Sequence, residues 1–140
     1  MLKILIFGLP GSGKTTLAKD LVKLIGGVHI NADEVRESYD DWDFSIEGRI
    51  RQAYRMKFLS DGVVLAGKIA IADFICPTKK TREEFNADFS VWMDTIKEGR
   101  FEDTNKLFEK PTEANYYVKE WLDDTPSRLE KLIKDSMGED

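Results

Sequence analysis

The residues best suited to chemistry are gathered in one short stretch, Gly8-Leu9-Pro10-Gly11-Ser12-Gly13-Lys14-Thr15. It satisfies the Walker A pattern at every defined position. Each residue type has a task there. The glycines let backbone N–H groups turn inward and form an anion-binding nest. A helix starting near Gly13 aims its positive end at bound phosphate. Lys14 is placed to reach the β- and γ-phosphates, and the Thr15 hydroxyl to ligate Mg²⁺. The expected ligand is Mg²⁺-ATP, with Lys14 catalytic and Gly8, Gly11, Ser12, Gly13, Lys14, Thr15 and Thr16 as the binding set. The bland alternative is a glycine-rich turn that binds nothing. It leaves the strand before the motif and the amphipathic helix after it unexplained.

A second group of residues follows later strands, where open α/β sheets bind ligands. Asp33 and Arg36 come after the second apolar run, and Phe44, Arg49, Gln52 and Arg55 come next. Arg49, Gln52 and Arg55 are spaced i, i+3 and i+6, so they share one side of a helix. Two arginines and an amide there suit a small anionic acceptor. Asp33 reads equally well as a helix N-cap and as a general base, which could also hold a magnesium-bound water. Asp73 ends Ile69-Ala70-Ile71-Ala72-Asp73. That run resembles a Walker B strand, whose acid holds Mg²⁺ through water. The competing reading pairs Asp73 with a nearby lysine or arginine. Cys76 has no histidine beside it in sequence, so it reads as a small buried residue rather than a nucleophile.

These residues need positioning elements, and the apolar pattern supplies them. Leu2 to Phe7 is a compact strand, Gly13 to Ile25 a helix, and Val28 to Ile30 a second strand. Asn31 or Asp33 can cap the next short helix. Ser45 caps a long helix from about Ile46 to Ala66, with Ile50, Ala53, Phe58 and Leu65 expected inward. Strands follow at Ile69 to Ile75 and Phe89 to Met93, with a short helix between them from Thr81 to Ala87. Lys97 to Pro111 has no clear period and reads as a loop or lid. Tyr116 to Trp121 reads as a last strand, and Thr125 or Ser127 begins a terminal helix. Strands alternating with helices predict a parallel sheet covered on both faces, an α/β three-layer P-loop NTPase fold.

Composition bounds the function. The chain has 140 residues, the length of one domain, here residues 1–140. Its net charge of -5 argues against non-specific nucleic-acid binding. One cysteine excludes an internal disulfide, and one histidine, His29, makes a zinc site an unsuitable reading. The expectation is a cytoplasmic protein, and Ile4 to Phe7 is too short to cross a membrane. Trp92 and Trp121 suit either a homodimer surface or ordinary burial.

Taken in order, the motifs resemble the adenylylsulfate kinase family. Gly8 to Thr16 resembles that family's Gly-Leu-Ser-Gly-Ser-Gly-Lys-Ser-Thr. Asn31-Ala32-Asp33-Glu34-Val35-Arg36 resembles its Asp-Gly-Asp-Asn-Val-Arg. Phe44-Ser45-x-x-x-Arg49-x-x-Gln52-x-x-Arg55 resembles Phe-Ser-x-x-Asp-Arg-x-x-Asn-x-x-Arg, and Ile75-Cys76-Pro77 resembles Ile-Ser-Pro. Val91 to Thr95 and Phe101 to Pro111 continue the series. The resemblance implies transfer of the ATP γ-phosphate to the 3′-hydroxyl of adenylylsulfate. It implies Asp33 as base, and Arg36, Arg49 and Gln52 on the acceptor's phosphosulfate and nearby groups. Phe44 and Phe101 would sandwich its adenine, and Cys76 would sit in the same pocket. The chain departs from the pattern at Asn31, Ala32, Gly48, Gln52, Cys76, Thr78 and Lys79. It also replaces the family's lysine-rich lid helix by Ile96 to Arg100, giving a short lid over about residues 96–111. Two other functions remain open on the residues alone. One is a P-loop kinase for a nucleoside, nucleic-acid end, sugar acid or antibiotic, and the other is a nucleotide-binding switch without catalysis.

Overall fold

A computed structural model describes residues 2–99 and 102–137. In chain order the elements are β1 (Lys3–Phe7), α1 (Lys14–Ile25), β2 (Val28–Asn31), α2 (Ala32–Tyr39), α3 (Ile46–Leu65) and β3 (Ala70–Phe74). They continue with α4 (Lys79–Phe85), β4 (Phe89–Met93), α5 (Glu102–Leu107), β5 (Tyr116–Val118) and α6 (Thr125–Ser136). The five strands form one parallel sheet in the order β2-β3-β1-β4-β5.

Strand alternation divides the core in two. On one face of β1, Ile4 and Ile6 meet Leu17 and Leu21 of α1 and Leu129 and Ile133 of α6. On the other, Leu5 and Phe7 meet Val35 of α2, Met56 of α3 and Phe85 of α4. The sheet is therefore covered on both sides, as a parallel sheet requires. All five residues of β1 and of β3 are buried, so the strands read as apolar runs rather than as alternating patterns. Among the described residues no helix is long and apolar enough to cross a membrane.

Four details differ from the sequence reading. The segment 97–111 is not all loop, because Glu102–Leu107 forms α5. β5 stops at Val118, short of Trp121. α4 begins at Lys79, since Thr78 and Thr81 form a reciprocal capping box. The largest difference concerns α3. Its buried residues are Gly48, Gln52, Met56 and Ser60, at intervals of four. Ile50, Phe58 and Leu65 point outward instead, and Ile46 and Tyr54 join them, with Phe58 69% and Leu65 88% exposed. A Cβ on Gly48 would run into the Asp43 backbone carbonyl, so the helix seats its smallest residue against that turn. The N-terminal half of the inward face is small and polar, with Gly48 and Gln52, and Gln52 borders the cleft described below. Trp92 packs within the chain, stacked on Phe108 and edge-on to Tyr117.

This orientation of α3 is checked by a pair of variants. Met56→Ala should cost about 2–5 kcal/mol in urea unfolding, as for buried side chains. Phe58→Ser should stay within about 0.5 kcal/mol of the parent, as an exposed position does. The opposite ranking would mean that the other face of α3 is inward.

Candidate active site

The phosphate loop links the end of β1 to the start of α1. Gly13 is the helix N-cap at φ 97°, a left-handed conformation that favours glycine. Gly8 is pressed against β4: a Cβ there would lie 2.7 Å from the Met93 carbonyl oxygen. The loop is closed by the Ser12 N–H donating to the Leu9 carbonyl at 3.2 Å. It is fastened from outside by the Thr95 hydroxyl donating to the Ser12 carbonyl at 2.7 Å. Lys14 Nζ donates to the Leu9 carbonyl at 3.0 Å, which folds the lysine back over the loop. Burial pulls the Lys14 ammonium below its usual range, and the charges of Asp73 and Asp33 oppose that pull. Ser12 Oγ is buried without a partner among the described residues, as suits a hydroxyl beside a phosphate nest. Thr16 is exposed at the start of α1.

A cleft of about 500 Å³ runs from this loop to α3, a volume within the range of small-molecule sites. Pro10, Gly11, Lys14 and Thr15 line one end, and Arg36, Phe44 and Arg49 the other. Asp33, Asp73 and Cys76 lie along it. The strand register brings them together: Asn31 pairs with Asp73, and Ile6 pairs with Asp73 on the other side.

Asp73 is 2% exposed and is the most tightly bound acid in the cleft. Its Oδ2 accepts from Thr15 Oγ1 at 2.8 Å, from Asn31 Nδ2 at 3.0 Å and from His29 Nε2 at 3.0 Å. Burial pushes its carboxyl upward, but these hydrogen bonds and the Lys14 charge hold it below the usual carboxylate range. Its contacts are with Thr15, Asn31 and His29 rather than with an arginine. Asn31 settles the capping question for α2, because its Oδ1 accepts from the Glu34 N–H at 3.0 Å. Asp33 is left in the first turn, exposed and without a capping duty.

At the end of the cleft away from the phosphate loop, Arg36 is 5% exposed and donates to the Asp41 and Asp43 carbonyls at 3.0 and 3.1 Å. Its guanidinium lies 4.2 Å from the Phe44 ring centre. Arg49 donates to the Phe44 carbonyl and to Thr104 Oγ1, at 3.0 and 2.8 Å. Gln52 Nε2 donates to the Ala32 carbonyl at 2.8 Å, while its Oε1 is buried and unpartnered. Arg55 departs from the group predicted by spacing. It pairs with Asp41 at 2.9 Å, lies over the Tyr39 ring, and does not line the cleft. Phe101 lies outside the described residues. Cys76 is buried at φ 43°, and burial pushes its thiol up to about 12, which rules out a thiolate nucleophile.

Three contributors escaped the sequence reading: His29, and Asp103 and Thr104 of α5. The period-two spacing of His29 and Asn31 on one strand was the available signal for the first. Nothing local marked the others. Arg82 was also missed. It lies between Phe7 and Phe108, 4.6 and 5.0 Å from their ring centres, and donates to the Cys76, Pro77 and Glu109 carbonyls.

The donor set fits magnesium, a hard cation that takes oxygen ligands and keeps several waters. The Thr15 hydroxyl and the Asp73 and Asp33 carboxylates are the oxygens available beside Lys14. No group of three or more histidine, cysteine or acidic residues could hold a metal unaided among the described residues, as expected where a substrate's phosphates complete the site.

Residues 1–115 match the sequence profile of the family described as adenylylsulphate kinase. The chain belongs to the adenylylsulphate kinase family. An adenylyl-sulfate kinase of Shewanella baltica is 33% identical over 90 residues, 60% of this chain and 44% of that protein. The chain thus spans less than half the length of the curated relatives it matches. The Mycobacterium tuberculosis APS kinase in complex with AMPPNP and APS shares the fold, with a TM-score of 0.70 at 16% identity over 98% of this chain and 97% of that one. Shikimate kinase from Acinetobacter baumannii, in complex with shikimate, has a TM-score of 0.61 at 18% identity over 99% and 94%. The fold is therefore that of P-loop kinases, as the motifs predicted.

The loop geometry is tested by Gly8→Ala. With the Met93 carbonyl in the way, the variant should lose at least about tenfold in ATP affinity, or about 1.4 kcal/mol, in calorimetric titration. Unchanged affinity would mean that the loop does not depend on that close approach.

Proposed function

We propose that the chain is an ATP-dependent small-molecule kinase that moves the γ-phosphoryl group of ATP to the 3′-hydroxyl of adenylylsulfate. The observation that carries this reading is the single cleft joining Lys14 and Thr15 to Arg36, Phe44 and Arg49, with Asp33 between the two ends. Family membership supports the choice of acceptor.

In this reading the phosphate loop and Lys14 hold the triphosphate, and Thr15, Asp73 and Asp33 face its magnesium. Bound Mg²⁺ would neutralise charge on the β- and γ-phosphoryl oxygens. Asp33 accepts the proton of the acceptor hydroxyl as that oxygen bonds to the γ-phosphorus. The bond from that phosphorus to its bridging oxygen breaks, and ADP leaves. Lys14 turns from the Leu9 carbonyl to the phosphates, where its charge offsets the developing negative charge. Phe44, backed by the Arg36 guanidinium, offers a ring face to the acceptor's adenine. Arg49 and Arg36 supply the positive field for its phosphosulfate.

A second reading keeps the chemistry and changes the acceptor. It is favoured by the commitments of the arginines, since Arg36 already serves two backbone carbonyls and Arg49 serves a carbonyl and Thr104. A smaller anionic alcohol would need less of them.

The deciding measurement is ADP release from Mg²⁺-ATP with and without adenylylsulfate, with products weighed by mass spectrometry. The expected product is one phosphoryl group heavier than adenylylsulfate. No stimulation alongside intact ATP binding would overturn that acceptor and leave the second reading. Lys14→Ala should abolish turnover. Asp33→Asn should keep ATP binding and lower turnover by about 10²-fold or more, and full turnover by that variant would remove Asp33 from its role as base.

A further inference from the structure

The lone histidine has no task in the mechanism above, yet it touches the most buried acid of the cleft. β2 and β3 run parallel with His29 opposite Ile71 and Asn31 opposite Asp73. Side chains alternate along a strand, so His29 and Asn31 stand on the same side of β2. Both converge on one atom, Asp73 Oδ2, which also takes the Thr15 hydroxyl. An ionised carboxylate only accepts hydrogen bonds, so His29 Nε2 carries a proton and donates it. Three donors on one oxygen fix the carboxylate's rotation. Oδ1 accepts no hydrogen bond among the described residues. It is the oxygen left over for a metal's water.

The departure at position 31 belongs to the same arrangement. The family pattern has aspartate there, and this chain has asparagine. The acid stands instead on Asn31's register partner across the ladder, about 4.8 Å away as neighbouring strands are. Both positions reach the same Thr15 hydroxyl, Asn31 Nδ2 at 3.2 Å and Asp73 Oδ2 at 2.8 Å. Asn31 caps α2 and donates to Asp73.

We propose that His29 is a positioning residue that orients the Asp73 carboxylate toward the magnesium of bound Mg²⁺-ATP. This rests on the reading that Asp73 faces that magnesium. Partners that orient a metal's carboxylates affect metal affinity by about 10–100-fold.

The test uses Mn²⁺ in place of Mg²⁺ and follows its free signal by electron paramagnetic resonance. The protein is held saturated with a non-hydrolysable ATP analogue, whose metal-free affinity is measured separately. His29→Ala should weaken Mn²⁺ about tenfold and leave metal-free analogue binding unchanged. His29→Gln, which restores a donor, should recover most of the loss. Asp73→Asn should weaken Mn²⁺ more than His29→Ala. Unchanged Mn²⁺ affinity in Asp73→Asn would overturn the underlying reading of Asp73. A weakened Asp73→Asn beside an unchanged His29→Ala would overturn the role of His29 alone. So would a His29→Ala that loses metal-free analogue binding equally, or a His29→Gln that recovers nothing.

Discussion

Asn31, Asp73 and Ile6 stand side by side because β2, β3 and β1 run parallel in one register, and the cleft rests on that alignment. A slip of β3 by one residue would carry Asp73 to the opposite face of the sheet and leave Ala72 or Phe74 in its place. The register is protected by burial on both faces: Ile71 belongs to the core beneath α1, and Ala70, Ala72 and Phe74 to the core beneath α3 and α4. The apolar packing and the placement of the acid are thus one constraint. The same register puts the last residue of β1 opposite Phe74, where the phosphate loop departs.

The charges of the cleft balance locally although the chain as a whole is acidic. Lys14, Arg36 and Arg49 face Asp33, Asp73 and Asp103 across it. Asp73 stays ionised despite its burial because three donors and a lysine surround it. Without a ligand the cations are occupied by the chain's own oxygens, Lys14 by Leu9 and Arg36 by Asp41 and Asp43. Any anion these cations bind must displace such a bond, so the net gain per contact is smaller than the strength of an ion pair in isolation.

The phosphate loop was legible because everything it needs is local: glycines, a lysine, a threonine, and a strand and a helix on either side. The parallel sheet was legible for a similar reason, since β1 and β3 are buried throughout and, apart from Lys3 and Asp73, apolar. The acceptor end was legible only in part. Spacing grouped Arg49, Gln52 and Arg55, yet it could not show that Asp41 in the preceding turn would claim Arg55. α3 misled because counting apolar residues assumes that the apolar face is inward. Here the inward face carries Gln52 and Ser60, and apolar residues are left outside. Thr104 had no signal, because its place depends on a six-residue helix whose sequence has no period. The N-cap ambiguity between Asn31 and Asp33 needed coordinates to resolve, and its resolution leaves Asp33 without a capping role.

The uncovered side of α3 also bears on how the protein unfolds. Ile46, Ile50, Tyr54, Phe58 and Leu65 already meet water in the folded chain. Unfolding therefore adds less to their hydration than to that of buried side chains. The heat-capacity increase on melting, which follows newly hydrated apolar area, takes correspondingly less from them. A chain of this hydrophobic content should accordingly show a flatter stability curve than its composition suggests.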